Sequence, residues 1–106
     1  MSQEKLPKRY LLIKEKHEKY IHAVEELGKT VKQEGPLDEK SILLIQLGAA
    51  ATIRSEGSVH SHVRRLLEVG ATPKEIYHAI IVLTCVIGYP AVAAALSWAD
   101  DVIGKK

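Results

Sequence analysis

An uncharged run of 18 residues, from Ala79 to Leu96, restricts the fold of this chain more than any other feature. It just reaches the length at which a helix can cross a bilayer, roughly 18 to 20 residues. Gly88-Tyr89-Pro90 interrupts it in the middle, and a proline inside a helix breaks the hydrogen-bond ladder. Two half-length apolar helices that meet at a proline are typical of a buried core, so we expect no membrane partner.

The spacing of apolar residues predicts an all-α fold of about five helices. Apolar residues recur at intervals of three and four, and no run alternates apolar and polar residues for long enough to indicate a strand. The predicted segments are Pro7 to Gln33, Asp38 to Ile53, Ser58 to Val69, Thr72 to Ile87, and the residues from Pro90 to Gly104-Lys105-Lys106.

The first segment has a heptad pattern, in which apolar positions alternate at steps of four and three and include His17 as a packed residue. Such a pattern needs a helical partner, either in the same chain or in another copy. We therefore interpret residues 1–36 as an N-terminal helical extension of a single domain that spans residues 1–106. The heptad positions are Leu6, Tyr10, Ile13, His17, Tyr20, Val24, Leu27 and Val31.

Two later features locate the core. Residues 42–53 are apolar on nearly every face, which predicts a central buried helix. Thr72, Pro73 and Glu75 have the spacing of a capping box with proline at the first helical position, which predicts the start of the fourth helix.

Cys85 lies among apolar neighbours, and we expect its thiol to be buried and unreactive.

The charge balance and cysteine content exclude several classes of protein. The chain has 15 Lys and Arg against 13 Asp and Glu, a net charge of +2, which does not indicate nucleic-acid binding. A single cysteine cannot form an internal disulfide, and no signal-peptide pattern opens the chain, so we expect a cytoplasmic protein. No pattern in the sequence calls for a cofactor, and we expect none.

Several spaced motifs together resemble the carboxymuconolactone decarboxylase family, over roughly Leu37 to Trp98. The resemblance implies an all-α, AhpD-like domain that assembles as a homo-oligomer, often a trimer or hexamer. The family includes ring-cleavage-pathway decarboxylases and AhpD-like alkylhydroperoxidases with an antioxidant role. The motifs are Gly-Ala-Ala-Ala at 48–51, His62-Val63-Arg64, Leu67 to Thr72, Glu75-Ile76 and Gly88-Tyr89-Pro90-Ala91.

The peroxidase branch of that family resembles Cys-x-x-Cys-x-x-x-His, with a glutamate on the preceding helix. Its histidine maps onto His62, but its cysteines map onto Ser55 and Ser58, and its glutamate maps onto Leu43. A hydroxyl has neither the accessible ionisation nor the redox chemistry of a thiolate. We therefore expect that thiol-based peroxide reduction has been lost.

The candidate site is centred on His62. Ser55, Ser58 and His62 lie on one face if the helix extends back to Ser55; otherwise the serines are remnants of a polar site or helix caps. His60 and His62 point in different directions on a helix, so we expect no metal site. The candidate catalytic residues are His62, Ser58, Ser55 and Glu56, and the candidate substrate-binding residues are Arg64, His60 and Tyr89.

Three functions remain open from the sequence. The first is a family member with a small-molecule pocket near His62. The second is an acid-base decarboxylase of a lactone acid, in which His62, Arg64, Arg54 and Glu56 would supply the proton donor and the polar contacts. The third is a non-catalytic oligomeric binding protein.

Overall fold

The computed structural model describes residues 7–104, which form seven helices and no strand. These residues divide into two compact units, one up to Pro36 and one from Leu37 onward. The predicted all-α class is confirmed, although the helices are more numerous than the sequence indicates. Leu6, Lys105 and Lys106, which the sequence assigned to the ends of the first and last helices, lie outside the described residues.

The first unit contains two helices where one continuous helix was predicted. These are α1 (Lys8–Lys16) and α2 (Glu18–Lys32). The helix breaks at His17, whose backbone adopts φ −134° and ψ 61°. The Tyr10 hydroxyl donates a hydrogen bond to the Glu25 carboxylate, and the Lys14 ammonium lies 3.3 Å from the same group.

The prediction that His17 packs within a heptad pattern is wrong. His17 is exposed and serves as a helix cap on both sides. Its N–H donates to the Ile13 carbonyl at the end of α1, and its carbonyl accepts from the Ile21 N–H at the start of α2. A regular spacing of apolar residues is compatible with either a straight helix or two packed helices, so the pattern could not reveal the break.

The second unit is built around α3 (Glu39–Thr52), as predicted. Its first turn is capped by Asp38, which accepts a hydrogen bond of 2.8 Å from the Ser41 N–H. Leu43 and Leu47 are almost completely buried. Since each fully buried leucine contributes about 1.5 to 3 kcal/mol, this helix anchors the core.

Two helices pack around α3; the first begins two residues before its predicted start at Ser58, and the second starts as predicted but ends at Ile81 rather than Ile87. They are α4 (Glu56–Glu68) and α5 (Pro73–Ile81). The capping box of α5 is confirmed, because the Thr72 side chain accepts from the Glu75 N–H and the Glu75 carboxylate accepts from the Thr72 N–H. Gly70, between the two helices, has φ +93°, a conformation that glycine adopts without steric cost.

The uncharged run is divided among three helices, since α5 is followed by α6 (Thr84–Ile87) and α7 (Tyr89–Ile103). The Thr84 hydroxyl donates to the Ile81 carbonyl over 2.6 Å, which gives that terminal carbonyl a partner outside the helical ladder. Within residues 7–104, no helix is both long and apolar enough to cross a bilayer.

The expectation that Cys85 is buried is wrong, because its side chain is exposed. It belongs to α6, a single turn without any buried residue. The core of the second unit instead consists of one face each of α3, α4, α5 and α7. Its largest fully buried side chains are Leu43, Leu47, Val59, Val63, Leu66, Ile76 and Ile80.

Candidate functional site

The connection from α3 to α4 places the candidate residues. It contains Arg54, whose φ is +59° and which is the one non-glycine residue of positive φ among residues 7–104. The Arg54 N–H donates to the Ala51 carbonyl and the Ser55 N–H donates to the Ala50 carbonyl, at 3.1 and 3.0 Å. These bonds give partners to two carbonyls at the end of α3 that have none within the helix, as in a helix cap with a left-handed residue.

Ser55 is the N-cap of α4. Its backbone is extended, and its side chain accepts a hydrogen bond of 3.4 Å from the Ser58 N–H. The helix begins at the next residue, Glu56, two residues before the predicted start at Ser58. Of the roles left open by the sequence, the structure gives Ser55 that of a helix cap.

Ser58 and His62 lie one turn apart and are in direct contact. The His62 Nδ1 nitrogen lies 2.8 Å from the Ser58 carbonyl oxygen and 3.3 Å from the Ser58 hydroxyl oxygen. A carbonyl oxygen can only accept, so Nδ1 carries a proton and donates it to this bond. In the neutral imidazole the lone pair therefore resides on Nε2.

This arrangement excludes one reaction and permits another. A protonated Nδ1 cannot remove the proton of the Ser58 hydroxyl, so these two groups do not form an activated serine nucleophile. The same hydrogen bond holds the ring in a fixed orientation with its basic nitrogen at Nε2. His62 can thus accept or donate a proton through Nε2.

Glu56 and His60 belong to a different part of the surface. With about 100° per residue, His60 projects about 160° away from His62 around the helix axis. Its Nε2 nitrogen lies 3.0 Å from the Asp101 carboxylate of α7 and 3.9 Å from the Glu56 carboxylate. The structure therefore separates the predicted set into two clusters, and Glu56 and His60 do not join His62.

The last two predicted residues also lie apart. Arg64 shares neither the Ser58–His62 contact nor the carboxylate cluster, and its guanidinium donates to the Ser61 hydroxyl over 3.5 Å. Tyr89, at the start of α7, is 69% exposed. The contact between Ser58 and His62 is thus the part of the predicted site that the structure assembles.

At the two cysteine positions of the peroxidase pattern stand Ser55 and Ser58, one a helix cap and the other in contact with His62. The glutamate position is Leu43, which is 1% exposed and part of the core. A buried leucine cannot relay a proton. Cys85 is the sole cysteine of the chain and lies on α6, so the residues that would form a dithiol centre are absent from the sequence.

Sequence reasoning missed two polar residues, Asp101 and Gln46. Asp101 completes the cluster with Glu56 and His60, but nothing in the sequence indicates that the end of α7 lies beside the start of α4. The Gln46 side-chain oxygen is buried and accepts no hydrogen bond from residues 7–104. A glutamine inside an otherwise apolar helix is the signal that could have identified it.

An apolar groove of about 420 Å³ lies on the outer side of α3. Thr52 contributes its one hydroxyl, which already donates to the Gly48 carbonyl over 2.8 Å. Ile45 and Val82 are 58% and 59% exposed at this groove. The full lining is Leu44, Ile45, Gly48, Ala49, Thr52, Ala79, Val82 and Leu83.

Residues 7–104 thus form an all-helical fold in which Ser58 contacts His62, and the sequence, with one cysteine, has no dithiol. The sequence model of the carboxymuconolactone decarboxylase family matches residues 18–101. The chain therefore belongs to the carboxymuconolactone decarboxylase family. The match begins within α2, and so extends further than the motifs from Leu37 to Trp98.

Two uncharacterised proteins and one solved structure are also similar to this chain. An uncharacterised protein of Methanocaldococcus jannaschii is 34% identical over 94 residues, covering 85% of this chain and 88% of the relative. An uncharacterised 15.0 kDa protein from the nqo9–nqo10 intergenic region of Paracoccus denitrificans is 36% identical over 81 residues, covering 74% of this chain and 60% of the relative.

The crystal structure of an apo carboxymuconolactone decarboxylase family protein from Legionella pneumophila superimposes with a TM-score of 0.76. The sequences are 20% identical, and the match covers 89% of this chain and 87% of that chain. At this level of identity the likeness shows that the fold is shared.

Proposed function

We propose that this protein is a thiol-independent, homo-oligomeric member of the family that binds a small molecule at His62 and exchanges a proton with it through Nε2. The observation that carries the proposal is the hydrogen bond of 2.8 Å from His62 Nδ1–H to the Ser58 carbonyl. It fixes the tautomer and orients the ring, both of which favour a role as a general acid or base. The protein is then related by ancestry to the peroxide-detoxifying members of the family but does not share their thiol chemistry.

The loss of peroxidase chemistry follows from the residues at the dithiol positions. Reduction of a peroxide by a dithiol needs a thiolate to attack and a second thiol to resolve the sulfenic acid. Ser55 and Ser58 supply neither. We expect the purified protein to show no hydroperoxide reduction with a dithiol donor; turnover that Cys85→Ser abolishes would contradict this part of the proposal.

The binding site is tested with the native protein and two histidine variants. Small carboxylates, lactones and lactone acids are screened for a rise in melting temperature, because a ligand that binds only the folded state stabilises it. His62→Gln should abolish the rise, whereas His78→Gln, which changes an exposed histidine of α5, should retain it. Equal shifts in all three proteins would place the site elsewhere.

Turnover distinguishes the acid-base role from simple binding. A lactone acid that raises the melting temperature is incubated with each protein, and loss of its carboxyl group is followed as release of carbon dioxide. Turnover that His62→Gln abolishes, while His78→Gln retains it, supports proton exchange at Nε2. Binding without turnover favours the non-catalytic oligomeric binding protein instead.

The homo-oligomeric part of the proposal rests on the apolar groove of α3. No charged residue lines it, and its one hydroxyl already has an acceptor, so a second copy could cover it without burying an unsatisfied polar group. Exposed apolar side chains such as Ile45 and Val82 would gain from that burial.

Sedimentation analysis tests this surface. Val82→Lys places a charge at the groove and should lower the oligomeric state. Val69→Lys is the matched control, because Val69 is also exposed but follows α4 and does not line the groove. An unchanged assembly in Val82→Lys would show that the subunits associate through another face, or that the protein is monomeric.

A further inference from the structure

We propose that Glu56, His60 and Asp101 form a binding site for a divalent cation of the zinc type. The cluster joins the first turns of α4 to the last turn of α7. Its three ligand atoms all lie within 4.8 Å of one another. This site is distinct from the one proposed at His62 and does not depend on it.

Two helices contribute the residues of this cluster. Glu56 and His60 are four residues apart on α4, so their side chains share one face of the helix. Asp101 approaches from α7, which packs against α4. The Asp101 carboxylate lies 3.0 Å from the His60 Nε2 nitrogen, which holds the imidazole toward both acids.

The separations suit a small metal ion. Ligands that bind zinc at roughly 2.0 to 2.2 Å in a tetrahedral arrangement are about 3 to 3.5 Å from one another. The distances from His60 Nε2 to the two carboxylates, 3.0 and 3.9 Å, bracket that range. Small rotations of the exposed Glu56 side chain would bring the third ligand to a bonding distance.

The charge of the cluster independently favours a cation. An imidazole carries at most one positive charge, so with both carboxylates ionised the cluster is negative in either protonation state of His60. Within residues 7–104, no lysine or arginine nitrogen lies within 4.0 Å of the Glu56 or Asp101 carboxylate. A divalent ion would neutralise this charge.

The ligand types indicate the class of metal. One imidazole and two carboxylates suit zinc and the neighbouring first-row ions better than calcium or magnesium, which prefer oxygen ligands alone. Three protein ligands leave a fourth position for water, and the partial exposure of all three side chains keeps that position open to solvent.

Calorimetric titration of the metal-stripped protein with zinc tests the site. We expect one ion per chain, and we expect Asp101→Asn and His60→Gln each to weaken binding by about tenfold or more. His78→Gln and Cys85→Ser should bind as the native protein does. They remove other groups that could hold zinc. Circular dichroism of each variant confirms that it is folded.

Cobalt provides a second measurement, which reports the ligand set around the bound ion rather than the heat of binding. Cobalt bound at the native cluster should give visible absorption bands of an ordered ligand set, and Asp101→Asn should lose them. The absence of saturable zinc binding, or an equal loss of binding in Asp101→Asn and His78→Gln, would overturn the proposal. Because His62 is not a ligand, His62→Gln should retain the metal even if it loses the small molecule.

Discussion

The His62 Nδ1 nitrogen lies 2.8 Å from the carbonyl oxygen of Ser58, one turn earlier in α4, while the hydroxyl of the same serine lies 3.3 Å away. The shorter bond is to the backbone, and only a protonated Nδ1 can make it. The serine thus positions the histidine chiefly through an atom that every amino acid possesses. This distinguishes the site from a serine–histidine catalytic pair.

Ser58→Ala should therefore leave the His62 tautomer unchanged. The substitution removes the hydroxyl but keeps the carbonyl that accepts the Nδ1 proton. Nitrogen-15 chemical shifts of the imidazole should report a protonated Nδ1 and a basic Nε2 in both proteins. Ligand binding at His62 should also persist in Ser58→Ala. A variant in which the proton moves to Nε2 would show that the hydroxyl sets the tautomer.

Arg54→Gly should stabilise the second unit. Arg54 has φ +59°, and a residue with a Cβ atom in the left-handed region is less stable than glycine by about 1 to 2 kcal/mol. Glycine also loses more backbone entropy on folding, roughly 0.5 to 1 kcal/mol. The net gain should be up to about 1.5 kcal/mol in the free energy of unfolding, measured with urea.

Arg65→Gly is the matched control for that substitution. Arg65 is exposed within α4, where glycine costs about 1 kcal/mol relative to a good helix former. The two arginine-to-glycine changes should thus have opposite signs. Destabilisation by both would mean that the Arg54 side chain makes a contribution larger than its backbone strain.

Gln46→Met should raise stability. The Gln46 side-chain oxygen is buried without a hydrogen-bond donor from residues 7–104, and such an atom costs about 1 to 3 kcal/mol. Methionine has a similar shape and no buried amide. We expect a gain of about 1 kcal/mol in urea unfolding, with Gln33→Met, at an exposed position, changing stability by less than about 0.5 kcal/mol.

The same variant tests whether the buried Gln46 amide takes part in ligand binding. If a ligand supplies the missing donor, the ligand-induced rise in melting temperature should be smaller in Gln46→Met than in the native protein. An undiminished rise, together with increased stability, would mean that Gln46 has no part in binding. Unchanged stability would show that the amide already has a partner in solution.

The boundaries that the sequence predicted correctly are those set by local hydrogen bonds. The Thr72–Glu75 capping box fixes the start of α5 because both partners lie within four residues. The central position of α3 was also predictable, since a helix that is apolar on nearly every face must be buried.

The features that could not be predicted from the sequence depend on residues that are distant along the chain or on the path of the backbone. The break at His17 leaves the apolar spacing unchanged. The exposure of Cys85 depends on how the short helix α6 packs against the rest of the second unit, which apolar neighbours in the sequence do not reveal. Asp101 meets His60 across 41 residues. His62 could be singled out by resemblance, but its hydrogen bond to a backbone carbonyl could not.

The dependence of stability on pH should include a contribution from Glu75. The hydrogen bond from the Thr72 N–H, followed by the bond from the Lys40 ammonium at 3.0 Å, lowers the pKa of the Glu75 carboxyl below its usual value of 4.5. A group with a lowered pKa in the folded state stabilises that state above its unfolded pKa. The contribution is lost as the pH falls through the folded pKa.

Glu75→Gln isolates this effect because glutamine keeps the acceptor for the Thr72 N–H but has no charge. Urea unfolding at neutral pH should find the variant less stable than the native protein, and the difference should shrink as the pH falls below about 4.5 and then through the lower pKa of the native carboxyl. In a Lys40→Met background the difference at neutral pH should be smaller, because the ion pair is already absent. A difference that stays constant or grows on acidification would show that the ionised carboxylate does not stabilise the start of α5.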